Sequence, residues 1–69
     1  MDTLYQQKKS ALTRDRIIIA TLQCIIEFGY VSTSVAKIAK LAQLSTGAMQ
    51  YHFESKIDAI KAAIENLHD

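Results

Sequence analysis

Apolar residues recur along this chain with the spacing of α-helices, interrupted at a few turn positions. Counting from Ile17, the residues Ala20, Thr21, Cys24, Ile25 and Phe28 fall at i+3, i+4, i+7, i+8 and i+11, which is one helical face. This predicts a first helix from about Arg14 to Phe28. Thr13 stands as its N-cap, Asp15 suits the positive end of the helix dipole, and Gly29 is the stop, able to enter a left-handed conformation without a steric penalty. A second helix is predicted to start after Thr33 or Ser34 and to end near Ala42, with Val35, Ile38, Ala39 and Ala42 inward. A third runs from Ser45, its N-cap, to about Phe53, with Ala48, Met49 and Phe53 inward. The last begins at Ser55, where Ser55-Lys56-Ile57-Asp58 resembles a capping box with Asp in place of Glu. Ile57, Ile60, Ala63, Ile64 and Leu67 keep its period almost to the C-terminus, with no C-cap in sight, so this helix reads as truncated and the chain as the N-terminal piece of a longer protein. Residues 1–11 show no sustained period, and Gln6, Gln7, Lys8, Lys9 and Ser10 read as a flexible arm ahead of a folded domain over 12–69. The expected fold is all-α, a small helix bundle of homeodomain-like kind.

Ile18, Ile19, Leu22 and Ile26 widen the apolar surface of the first helix beyond one face. Two readings stand side by side: a wide core stripe in a small bundle, or a surface that touches something this chain does not contain. At 69 residues the chain is one small domain, and such a domain buries only about 60% of the surface its unfolded chain exposes. No proline, two glycines and 49% hydrophobic residues fit a compact helical domain and argue against disorder. The net charge of +1 conceals an asymmetry. Residues 1–53 hold six Lys or Arg against three acids, and residues 54–69 hold two against four. The basic part carries the positions that a phosphate-binding module would use. The lone Cys24 forms no internal disulfide and fits a reducing, cytoplasmic compartment. No apolar run reaches the roughly 18 residues a membrane span needs, and residues 1–16 lack the apolar core of a signal peptide.

The stretch from Thr33 to Lys56 carries the chemistry. Two helices cross at a steep angle over a short turn only where the residues at the crossing are small. Ala39 and Ala42 meet that need, while Leu44 and Met49 plug the angle. The outward face of the third helix is then left with Thr46, Gly47, Gln50 and Tyr51. A glycine inside a helix costs about 1 kcal/mol relative to alanine, and Gly47 makes sense where a sugar-phosphate chain comes close. Gln50 can pair with adenine through two hydrogen bonds, and Thr46 can reach a base edge or a thymine methyl. Tyr51 and His52 suit phosphate oxygens, as do the backbone N–H groups of the helices opened by Thr33, Ser34 and Ser55. Lys56 is expected as a point-charge phosphate contact, and Lys37 and Lys40 as flanking ones.

From Arg14 to about Ile60 the chain resembles the DNA-binding domain of the tetracycline-repressor (TetR) family of bacterial transcriptional regulators. The matching residues are Arg14, Ile17, Ala20, Gly29-Tyr30, Thr33-Ser34-Val35, Ile38-Ala39, Ala42, Leu44-Ser45, Gly47-Ala48-Met49, Tyr51-His52-Phe53 and Ser55-Lys56, in order and without a gap. The resemblance implies a helix-turn-helix reader of double-stranded DNA, usually a repressor, acting as a homodimer on a palindromic operator. It further implies a C-terminal domain, absent here, that binds an effector and dimerises. By position it puts DNA contacts on Ser34, Thr46, Gly47, Ala48, Gln50, Tyr51, His52 and Lys56. Thr33 and Ser45, at the starts of the second and third helices, complete the expected DNA-binding set. Gln43 departs from the family's usual turn glycine, and a glutamine in a left-handed conformation costs about 1–2 kcal/mol. Gln50 stands where the family most often has tyrosine, which points to base readout in place of the usual contact. Ala36 and Ala48 are short where polar contacts are common.

His52 has no second His or Cys at ligand spacing, so no metal and no cofactor is expected. Cys24, Met49 and Phe53 read as core residues, Tyr30 as packing against the helix pair, and His68 as an exposed tail residue. No nucleophile-base pair, phosphate-cradling glycine loop or paired carboxylates point to an enzyme. The competing reading is a small protein-interaction domain that uses the Ile-rich surface of the first helix and never touches DNA.

Overall fold

The structure is a computed structural model that describes residues 3–67, with side chains over 11–66. Four helices follow in order: α1 (Thr3–Ser32), α2 (Val35–Leu41), α3 (Thr46–His52) and α4 (Lys56–Leu67). The all-α expectation holds, and no strand occurs among the described residues. α1 packs on α2 and α4, and α2 packs on α3. Ile17, Ile18, Ala20 and Cys24 of α1 meet Ile38 and Ala39 of α2, Met49 of α3 and Ala59, Ala62 and Ala63 of α4 in one core, closed by Ala42 and Phe53 from the adjoining turns. No described helix is long and apolar enough to cross a membrane.

The start of α1 departs from expectation. The helix begins at Thr3, so Thr13 lies inside it and is no N-cap, and most of the span read as an arm is helical. Gln6, Gln7, Lys8, Lys9 and Ala11 all favour helix, and nothing between Thr3 and Phe28 breaks it. A polar stretch of sequence shows no apolar period by which a helix could be read. His68 lies outside the described residues.

At the other end, Gly29 has φ 81° and ψ 166°, and a short second turn follows it to Ser32. Its positive φ fits the expected stop, although its ψ is extended; that combination is essentially reserved for glycine. A Cβ there would meet nothing within 4 Å, so the demand for glycine comes from the backbone alone.

The turn between α2 and α3 has the hydrogen bonds of a Schellman motif. The Leu44 N–H reaches the Ala39 carbonyl at 2.8 Å, and the Gln43 N–H reaches the Lys40 carbonyl at 3.1 Å. Gln43 sits in the left-handed position with φ 62°. A side chain there costs about 1–2 kcal/mol, and glycine returns about 0.4–1 kcal/mol of that through the greater freedom of the unfolded chain. Gln43→Gly is therefore expected to stabilise the fold by about 1 kcal/mol, which raises the melting midpoint by about 4–8 °C in a domain of this size. A midpoint that stays put or falls on thermal denaturation would contradict the strained turn.

Two inward assignments change, and the structure sets the orientation of α4, which the spacing left open. Phe28 is 44% exposed, one turn beyond Cys24, the last buried residue of α1. Ala48 is exposed, one residue short of the buried Met49. On α4 the alanines face inward, while Ile57 and Ile64 lie outside at 51% and 60% exposure. The Ile-rich stripe of α1 divides: Ile18 is buried and Leu22 packs against the core, whereas Ile19 and Ile26 lie on the surface. Cys24 is fully buried, and burial pushes its thiol above the ordinary value, with nearby Lys37 pulling the other way. A neutral, enclosed thiol of this kind is an inert core group.

Candidate nucleic-acid interface

The unit from Ser34 to Ser55 is capped at each helix start. The Ser34 hydroxyl accepts from the Lys37 N–H at 3.2 Å, Ser45 from the Ala48 N–H at 3.0 Å, and Ser55 from the Asp58 N–H at 3.3 Å. Each bond satisfies an otherwise orphaned donor in the first turn. Asp58 lies in the first turn of α4, where its charge suits the dipole.

α3 is held from behind by Met49, its one fully buried residue, and by Phe53 at its C-cap. Its remaining side chains point away from the core. Thr46, Gly47, Ala48, Gln50 and Tyr51 are all exposed, Tyr51 at 83%, and His52 is partly so. The Tyr51 and His52 rings meet edge to face with centroids 5.1 Å apart. The Gln50 amide donates to the Glu54 carbonyl at 3.3 Å, an exposed bond that is cheap to exchange. A Cβ on Gly47 would meet no atom of the chain within 4 Å, so internal packing gives no reason for glycine there.

Three residues expected at the DNA surface have partners within the chain. Thr33 is 2% exposed, and its hydroxyl donates to the Gly29 carbonyl at 2.8 Å, so its side chain belongs to the corner between α1 and α2 and not to the surface set. The Lys56 ammonium donates to the Tyr30 and Thr33 carbonyls, each at 2.9 Å, and lies 4.3 Å from the Tyr30 ring centroid. Lys37 is similarly occupied, on the Ser32 carbonyl at 2.8 Å and over the Phe28 ring at 4.8 Å. Lys40 is exposed.

Sequence reading gave no bracing role to two arginines of α1, although Arg14 is among the residues that match the family. Arg16 donates to the Ala42 carbonyl at the end of α2, and the Arg14 guanidinium lies 5.4 Å from the Phe53 ring centroid. Their i, i+2 spacing puts them on opposite sides of the helix and gave no hint of these roles.

A small bundle whose second and third helices cross over a tight turn, with the third presenting an open polar face, defines the helix-turn-helix class of DNA-binding domain. The pattern of the bacterial regulatory proteins of the tetR family matches residues 17–63, and the chain belongs to that family. It is 35% identical over 57 residues to the HTH-type transcriptional regulator TtgR of Pseudomonas putida, which is 83% of this chain and 27% of that protein. The HTH-type transcriptional repressor BepR of Brucella suis is 34% identical over 56 residues, 81% of this chain and 27% of that one. The HTH-type transcriptional regulator BetI of Stenotrophomonas maltophilia is 39% identical over 54 residues, 78% and 28% respectively. The chain thus spans less than a third of the length of the curated relatives it matches. No solved structure gives a significant match. The matched family is one of bacterial regulatory proteins, and the named relatives are HTH-type transcriptional regulators and repressors.

Proposed function

We propose that residues 12–69 form the sequence-reading unit of a repressor, with α3 lying in the major groove of double-stranded DNA. The observation that carries this is the open face of α3: five consecutive or near-consecutive exposed positions from Thr46 to Tyr51, backed by one buried anchor, Met49. Gln50 and Thr46 address base edges. Tyr51 and His52 address phosphates, with Ser34 and Ser45 at the neighbouring helix starts. Gly47 and Ala48 leave room for the backbone to approach. The whole regulator is cytoplasmic, has no catalytic activity, and acts as a homodimer on a palindromic operator. Dimerisation and effector binding fall to a further C-terminal domain. Pairing two such units raises avidity by roughly 10²–10⁴ without a new contact.

Fluorescence anisotropy with short duplexes of varied sequence tests the reading. Non-specific dissociation constants of about 10⁻⁴–10⁻⁶ M, weakening steeply with salt, are expected for one unit. Tyr51→Ala should weaken every duplex alike. Gln50→Ala should also level the differences between duplexes, since a bidentate base contact carries about 1–3 kcal/mol of discrimination. Equal losses on all duplexes for both variants would remove base readout from Gln50. Affinity that ignores salt would favour a protein-binding role.

A further inference from the structure

We infer that α3 selects A·T base pairs in the major groove, with the Gln50 amide on adenine and the Thr46 methyl against the thymine methyl, and that it rejects G·C at the contacted positions. The inference rests on the DNA-reading role proposed for α3 and adds to it the class of base pair that is read.

Successive residues of an α-helix are turned by about 100°. Met49 is buried and fixes the inward direction, and Thr46, Gly47 and Gln50 then share one open side of the helix. Gly47 separates the other two without adding a side chain, so this side lies low enough for base edges to approach it. His52 lies nearly opposite Gln50, two residues further round.

The chemistry available on α3 favours one kind of base pair. Guanine is most often read by Arg or Lys, and cytosine by Asp or Glu. α3 contains none of these four residue types. All eight Lys and Arg residues of the chain belong to other helices: four to α1, two to α2 and two to α4. The nearest acid, Glu54, stands beyond Phe53, the C-cap of α3. A glutamine amide carries a donor beside an acceptor. Adenine offers the matching pair, the N7 acceptor beside the N6 donor, so Gln50 makes both bonds. Guanine offers two acceptors, N7 and O6, so the Gln50 carbonyl would be set against O6 and one bond lost. To reach a base, the exposed Gln50 amide gives up its 3.3 Å bond to the Glu54 carbonyl. The Thr46 hydroxyl suits any base pair, so the selectivity of Thr46 lies in its exposed methyl group. That methyl has an apolar partner on thymine and none on cytosine.

Four pools of short duplexes test this by anisotropy at low salt. Their cores are random mixtures of A·T, A·U, G·C or inosine·C pairs. Uracil is thymine without its methyl. Inosine carries guanine without the N2 amino group, so its pair with cytosine matches G·C in the major groove and A·T in the minor groove. The A·T pool is expected to bind about tenfold more tightly than the G·C and inosine·C pools, which should behave alike. The A·U pool should fall about fourfold below A·T, as for one lost methyl contact. Thr46→Ser keeps the hydroxyl and should erase the difference between A·T and A·U. Gln50→Arg should reverse the order, in favour of G·C and inosine·C. An unchanged order in Gln50→Arg would overturn the assignment of adenine to Gln50. Inosine·C bound as tightly as A·T would move the selectivity to the minor groove and overturn the inference. Equal binding of all four pools, still weakened by salt, would overturn it too and leave α3 as a DNA contact that reads no base class. Absence of binding to every pool would instead remove the DNA-reading role itself, and the inference with it.

Discussion

Ala48→Glu is expected to leave the chain as stable as before, or more so, and to abolish its hold on DNA. Ala48 is exposed on α3, and its N–H already donates to the hydroxyl of the N-cap Ser45. A glutamate three residues after a serine N-cap completes a capping box by reaching back to the cap's own N–H. The same carboxylate is favoured by the helix dipole, typically by 0.3–1 kcal/mol. Yet in the proposed complex it faces the phosphates, and like charges set together at an interface cost several kcal/mol, which is about a hundredfold or more in affinity. Fold and function would thus respond in opposite directions to one substitution. Thermal melting and duplex anisotropy on the same sample decide it. A variant that melts normally and binds like the parent would mean that the first turn of α3 does not face DNA, and the proposed docking would fall.

Met49→Ala should act in the opposite sense, on the fold first. Met49 is fully buried and is the one side chain of α3 wholly inside the core. Truncating a buried Met, Leu or Ile to alanine costs about 2–5 kcal/mol, the spread depending on how far the cavity collapses. A domain of this length has a total stability of about 3–10 kcal/mol, so the loss takes a large part of it. Urea denaturation should show a much lower midpoint with little change in slope. Met49→Leu, which nearly conserves volume, should cost less than about 1.5 kcal/mol. A small effect of the alanine variant would mean that α3 is held chiefly by Phe53 and by the Schellman turn at Gln43.

The helix boundaries that rest on caps were legible in the sequence. Ser34, Ser45 and Ser55 announce themselves by residue type and spacing, and each makes the bond that type permits. Gly29 and Gln43 were legible for a related reason: a positive φ is a backbone demand, and the sequence either meets it with glycine or bears a cost. The beginning of α1 was not legible, because a polar helical extension carries no periodic signature. On α4 the period was visible but its orientation was not. Isoleucine is the stronger hydrophobe, yet the narrow space beside α1 takes Ala59, Ala62 and Ala63 and leaves Ile57 and Ile64 outside. Ala48 shows the same limit, since small apolar residues sit on either side of a helix at little cost. The exposed polar face of α3 followed from the position of Met49 alone. The internal hydrogen bonds of Lys37 and Lys56 did not, because the reach of a lysine to a backbone carbonyl leaves no mark in a sequence, and only the fold brings Tyr30 and Thr33 to Lys56.

Cys24 gives the protein a built-in clock. It lies fully enclosed beneath the corner that holds Thr33, and burial keeps its thiol protonated. A thiol reagent can reach it only while the helices part, so the rate of modification counts openings of the native state. When reclosing is fast, that rate reports the population of the open form and hence the free energy of opening. The chain can thus be timed through its own sulfur, with no label added and no residue of the proposed DNA-facing surface replaced.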